Sequence, residues 1–299
     1  MLPWERTPYL IRVAEQESRQ GNILVVMDVS GAGRCSALVS LPVLSLSGIS
    51  CALLPTAYYS THTGGFGEVH RKDLSETMER TVEHWLRLKL QFDAVYIGYT
   101  ASENQLKLLE QAVPNLLSPE GRLYIDPVMG DHGRRYSFCE EGLINGFRRL
   151  CTRADVIFPN RTEAALLLGL PLNHGVEPEP PAPEQLLSIG SKSVVLTGVR
   201  KGENQIGVLA ASPGKQPFFT SRQRFENTYP GTGDLLASCI IAVLQMGGKL
   251  ERACEIACDF LDLSLRHTVL YDAQPRFGLA FEAALPALAQ VLTGSALKD

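Results

Sequence analysis

The sequence has no run near the roughly 18 apolar residues that a membrane-crossing helix needs, so no span is expected. It also lacks a basic block. Lys and Arg number 28 against 32 Asp and Glu, a formal net charge of −4, which argues against nucleic acid as a partner. No C-x-x-C pair occurs among the seven scattered cysteines, so a reducing, cytoplasmic setting is expected rather than a disulfide or zinc framework. Cys254 and Cys258 lie four apart and read as small core residues on one helix face. Internal repeats and low-complexity tracts are absent. The one Pro-rich stretch, residues 171–185, reads as a surface connection. The first 21 residues carry Glu and Arg and have no apolar core segment. They are expected to be a short surface helix and not a secretory signal. After the first apolar run the chain reads G-A-G-R-C-S. The third glycine of a dinucleotide fingerprint is missing there.

What is present is a regular alternation. Short β-branched runs at 22–29, 51–57, 93–98, 121–128, 154–160 and 191–199 predict strands. Longer segments with helical apolar spacing separate them, notably 74–90, 103–113 and 161–170. The segment 35–48 also reads as a helix, with Pro42 implying a kink or an early turn. Residues 204–211 and 216–222 alternate like an antiparallel hairpin at a sheet edge, and from Gly233 the chain looks helical almost to its end. Strands alternating with helices make βαβ units. The fold class is therefore α/β: a doubly wound, mainly parallel sheet flanked by helices, as one domain over 1–299. In such sheets ligands bind at the carboxyl ends of the strands, which directs attention to the turns that follow them.

Those turns hold the unusual polar residues. "GTGD" (Gly231, Thr232, Gly233, Asp234) runs straight into an apolar helix. Open amides and the dipole at a helix start attract an anion, and glycines let it come close. A carboxylate beside them is placed to take a proton from a hydroxyl, which suggests phosphoryl transfer to an alcohol. The competing reading is an ordinary helix cap. "DPVMGD" offers Asp126 and Asp131, two oxygen donors for Mg²⁺ or two turn caps. "PNRTEAALL" offers Asn160 and Glu163 three apart, a capping arrangement or an orienter of a metal-bound water. "STHTGGFG" supplies His62 and Thr63 in a glycine-rich loop suited to closing over a small polar ligand. "MDVSGAGR" supplies Asp28 and Ser30. "YIGYTAS" places Tyr99 at a strand end, to stack on a ring or to sit buried.

"GTGD" before a late helix resembles the signature of the ribokinase superfamily. "STHTGG", "GYT", "DPVMGD", "ADVIFPNRTEAALLLG" and "GTGDLLAS", in that order, are similar to the pyridoxal/pyridoxamine kinases from about residue 23 to residue 245. The resemblance implies an ATP-dependent kinase acting on the 5′-hydroxyl of pyridoxal, pyridoxamine or pyridoxine, usually a homodimer. It implies Asp234 as base and Gly231, Thr232 and Gly233 as anion hole. Asp126, Asn160, Glu163 and Thr197 fall to ATP, and Asp126, Asp131 and Glu163 to Mg²⁺, with a monovalent cation such as K⁺ as a further candidate. Asp28, Ser30, His62, Thr63 and Tyr99 fall to the acceptor. "DVSGAG" is also similar to the first motif of the hydroxymethylpyrimidine kinases, a sister group that phosphorylates a smaller heteroaromatic alcohol. A binder of B6 or nucleotide without catalysis is the reading from another class.

Overall fold

The computed structural model describes residues 21–293. In chain order its strands are β1 (Asn22–Ser30), β2 (Ser50–Tyr59), β3 (Arg71–Asp73), β4 (Phe92–Ile97), β5 (Leu117–Ile125), β6 (Gly130–Asp131), β7 (Arg134–Arg135), β8 (Val156–Ile157), β9 (Val194–Lys201), β10 (Gln205–Ala211) and β11 (Phe218–Gln223). The helices are α1 (Ala37–Leu46), α2 (Ser75–Arg87), α3 (Glu103–Leu116), α4 (Glu141–Cys151), α5 (Arg161–Leu168), α6 (Pro183–Leu187), α7 (Thr232–Gln245), α8 (Leu250–Leu270) and α9 (Leu285–Thr293).

Nine strands form one sheet in the order β11-β10-β9-β8-β5-β4-β1-β2-β3. The six central strands, β9 to β2, are parallel to one another. Ile23 to Met27 of β1 are fully buried, the mark of a parallel strand covered on both faces. Alternation along β1 serves both layers. Ile23, Val25 and Met27 join the cluster under α1, α7 and α8, while Leu24 and Val26 join the one under α2 to α5. The chain passes from β1 to β2 on one side and returns to β4 on the other. In open α/β sheets such a reversal of strand order is where ligands bind, here at the carboxyl ends of β1 and β4.

The expected edge hairpin is β10–β11, antiparallel, with β10 also antiparallel to β9. Cys254 and Cys258 are buried on α8 as free thiols. α1 carries Pro42 inside its ten residues. Three features differ from the sequence reading. An antiparallel strand, β3, lies at the opposite edge, and β6–β7 form a separate two-stranded ribbon inside the "DPVMGD" region. The helical run after Gly233 is broken between Tyr271 and Ala284, where Pro275 starts a 3-10 turn and Gly278 takes φ 79°. The expected N-terminal helix lies outside the described residues. No described helix is long and apolar enough to cross a membrane.

Candidate active site at the carboxyl ends of the strands

Gly231 stands before α7 with φ 80°, in the left-handed region where only glycine is comfortable. A Cβ there would overlap the carbonyl oxygen of Arg34, so the turn also needs the missing side chain. No side chain caps α7. Leu235 N–H donates to the Gly231 carbonyl at 2.9 Å, so the amides of Thr232, Gly233 and Asp234 precede the helical ladder. These are the open N–H groups of the anion-hole reading.

Asp234 does not cap its own helix. Its Oδ2 accepts from the Ser36 backbone N–H at 2.8 Å and from the Cys35 thiol at 3.6 Å, both on the turn after β1. The residue is half-buried, and no described residue hydrogen-bonds to Oδ1. Burial pushes its pKa up, against the pull of those two donors. The carboxylate is therefore held by one oxygen and presents the other.

Three further acids gather here. Asp28 ends the buried part of β1, is 4% exposed and accepts from the Ser30 hydroxyl at 3.1 Å. Burial, with a smaller push from Asp234, raises its pKa to about 6. Asp126, at the end of β5, is buried, and no described residue donates a hydrogen bond to its carboxylate. Burial first, then Asp234, holds its pKa well above the carboxylate range. Its Oδ2 would lie 3.9 Å from a Cβ on Gly233, so it faces the start of α7.

Glu163 is buried and also raised, by burial and then by Asp126. Its two oxygens accept from the backbone N–H groups of Asn160 and Met129, while the Asn160 side chain accepts from Glu163 N–H. This is the capping box that the spacing allowed. It has a second consequence, because Asn160 Nδ2 donates to the Gly130 carbonyl at 2.8 Å and so fastens the "DPVMGD" turn to α5. Asp131 is engaged on its own turn. Its Oδ1 accepts from His132 N–H, and Asp131, His132 and Glu177 bring their ligand atoms within 4.8 Å of one another. Thr197 bridges Asn160 across the β8–β9 pair, with its N–H on the Pro159 carbonyl.

The acceptor side reads differently residue by residue. Tyr99 is buried, shares a 2.7 Å hydrogen bond with the Tyr59 hydroxyl, and meets Tyr59 and Phe138 edge to face. That is the buried-tyrosine alternative. Thr63 is exposed. His62 is buried, and both its nitrogens are engaged. Nδ1 accepts from Gly64 N–H, which leaves Nε2 to donate to the Arg276 carbonyl. The imidazole therefore ties the loop at 60–67 to the turn at 274–278.

Sequence reasoning missed Cys35, Ser36 and that C-terminal turn. Ser36 acts through its backbone N–H, which no side-chain pattern reveals. "PRF" at 275–277 carries no motif, and only Pro275 within it and Gly278 after it could have signalled a break in the helical run.

Comparison with known proteins identifies the family. Residues 29–275 match the family model described as phosphomethylpyrimidine kinase. A pyridoxine/pyridoxal/pyridoxamine kinase of Bordetella avium is 30% identical over 254 residues, 79% of this chain and 81% of that protein. The pyridoxal kinase of Lactobacillus plantarum superposes with a TM-score of 0.84 at 31% identity, covering 91% of this chain and 98% of that one. A Bacteroides thetaiotaomicron protein, provisionally named a phosphomethylpyrimidine kinase and crystallised with pyridoxal, gives the same score and identity over 90% and 96%. With residues 29–275 matching the family model and relatives at 30–31% identity covering most of the chain, this chain belongs to the family of phosphomethylpyrimidine and pyridoxal kinases with the ribokinase-like fold.

Proposed function

We propose that this chain transfers the γ-phosphoryl group of ATP to the 5′-hydroxyl of a B6 vitamer: pyridoxal, pyridoxamine or pyridoxine. The observation that carries the reading is Asp234, fixed through Oδ2 by the β1 turn, with Oδ1 presented beside the open amides of α7. The names and bound pyridoxal of relatives at 30–31% identity support the same acceptor class.

In this mechanism Oδ1 of Asp234 takes the hydroxyl proton. The freed oxygen attacks the γ-phosphorus, the bond to the β-phosphate oxygen breaks, and ADP leaves. A carboxylate whose pKa is raised by burial is a stronger base than one in water. The N–H groups of Thr232, Gly233 and Asp234 hold charge on the migrating group. Asp28 and Ser30, at the carboxyl end of β1, are assigned to the ring of the acceptor. Among the described residues the oxygen donors also fit Mg²⁺, because Asp126 is buried without a hydrogen-bond donor and Glu163 stands beside it. When bound, this ion supplies charge neutralisation on the phosphates. Asp126, Glu163 and Asp131 are the residues that would hold it, directly or through water. Thr197 and Asn160 line the ATP side.

The family model favours a second reading, phosphorylation of a hydroxymethylpyrimidine. Initial rates with Mg-ATP and each of pyridoxal, pyridoxamine, pyridoxine and hydroxymethylpyrimidine separate the two. The B6 reading expects the highest kcat/KM on a B6 vitamer, and turnover of the pyrimidine alone would sink it. A cytoplasmic homodimer is part of the proposal, and light scattering of the purified protein tests the dimer.

A further inference from the structure

The family match ends at residue 275, yet the next three residues reach into the site. The 60–67 loop carries glycines at 64, 65 and 67, with Gly65 and Gly67 at positive φ, so its own chain does little to fix it. What fixes it comes from the 3-10 turn at Pro275–Phe277. The Arg276 carbonyl accepts from His62. The Phe66 ring meets the Phe277 ring edge to face at 5.1 Å, and the His62 ring at 5.0 Å. The Arg276 guanidinium lies 5.4 Å from the Phe66 centroid and 5.3 Å from that of Phe277.

The turn is itself anchored to the base's own support. Arg34 N–H donates to the Phe277 carbonyl at 3.0 Å, and Arg34 Nε lies 2.7 and 2.9 Å from the two oxygens of Glu282. Gly278, at φ 79°, packs so closely that a Cβ would meet the Arg34 carbonyl at 2.7 Å. The loop in turn stands over the catalytic entrance. A Cβ on Gly33 would meet the His62 ring at 2.7 Å, and one on Gly64 would touch Pro230 at 3.9 Å.

From these contacts we infer that Arg276 and Phe277 are positioning residues for the phosphoryl acceptor: they dock the 60–67 loop over the site and keep water from the transferred group. The inference rests on the kinase reading and extends it to a segment outside the family match. An acceptor held under a docked loop is phosphorylated, whereas with the loop released water competes for the γ-phosphoryl.

The test uses the full chain and the variants F66A, F277A, R276A and the double variant F66A/F277A, with F277Y as the conservative control. Acceptor KM, ATP KM, kcat and ATP hydrolysed per acceptor phosphorylated are measured, together with hydrogen exchange of the 62–67 amides in the ligand-free protein. F66A and F277A are each expected to raise acceptor KM roughly tenfold, from the loss of an aromatic pair and its cation. ATP KM stays unchanged and more ATP is hydrolysed per acceptor. R276A shifts the same quantities less. The double variant is no worse than either single, F277Y stays near wild type, and the 62–67 amides exchange faster in F277A. Additive effects of F66A and F277A, or unaltered exchange in that segment, overturn the inference. If the wild type phosphorylates no B6 vitamer, the functional reading fails, and the exchange measurement, which needs no substrate, still decides the docking.

Discussion

Replacing Asp234 by Asn separates a catalytic carboxylate from a structural one, because the two roles predict opposite signs. The amide oxygen can still accept the Ser36 N–H that Oδ2 accepts at 2.8 Å, and the side chain keeps its size. What disappears is one negative charge. Asp234 raises the pKa of both Asp28 and Asp126, so its charge repels theirs in a buried site. The variant should therefore melt at the same temperature as wild type or higher, and the Asp28 pKa should fall below about 6. Loss of a general base costs roughly 10²–10⁴ in kcat, about 3–5 kcal/mol in the barrier, while ATP still binds. The assay is ADP release coupled to a dehydrogenase, alongside thermal melts and a carboxyl-carbon NMR titration of Asp28. Activity within tenfold of wild type would refute the role of Asp234 as base. A melting temperature lowered by many degrees would refute the charge-repulsion argument.

Gly231→Ala puts a side chain at φ 80° against the Arg34 carbonyl. The left-handed conformation alone costs about 1–2 kcal/mol, so a clear drop in melting temperature with near-complete loss of turnover is expected, and a fully active variant counts against the crowding. Tyr96→Phe removes a fully buried hydroxyl that lies beside the Ser40 and Ser238 hydroxyls without a well-formed hydrogen bond to either. Its denaturation free energy should lie within about 1 kcal/mol of wild type or above it, and a loss beyond about 2 kcal/mol would reveal a bridging water. Asp28 carries a pH dependence whose sign follows from its pKa of 3.8 in the ordinary state and about 6 when folded. The folded chain keeps a proton that the unfolded chain has lost, so stability is highest at low pH and declines as pH rises through 6. The decline totals about 3 kcal/mol, about half of it between pH 5 and 7.5; metal-free urea denaturation at those two values checks it, and a rise instead of a fall counts against it. Mg²⁺ at millimolar concentration should raise the midpoint at pH 7.5 more than at pH 5, and chelation should abolish turnover.

The parallel core was legible because β1 and most of β4 are buried apolar runs, and β5 ends in one at Leu123–Ile125, the pattern of a sheet covered on both faces. Asp28, Asp126 and Asp234 could be picked out because carboxylates at strand ends and at a glycine-flanked helix start are poor choices for packing. Asn160 and Glu163 show the limit of that logic. Their spacing fits a cap and an active-site pair equally, and the structure makes them a cap that also fastens the Gly130 turn. β3 escaped notice because "RKD" is exposed and polar, so its pairing is written in β2 and not in its own sequence. The Ser36 amide was invisible because every residue except proline has one, and only tertiary geometry selects which of them matters.

Arg34 and Glu282 are 248 positions apart, and Ser36 and Asp234 are 198 apart. A ribosome delivering this chain from its N-terminus can release β1, β2 and β4 long before α7 and the turn that seats the 60–67 loop have emerged. Contacts of such separation form late. During synthesis one face of the early strands thus waits for α7 and α8, and the contacts that join residues 34–36 to Asp234 and Glu282 close only when the chain is nearly complete.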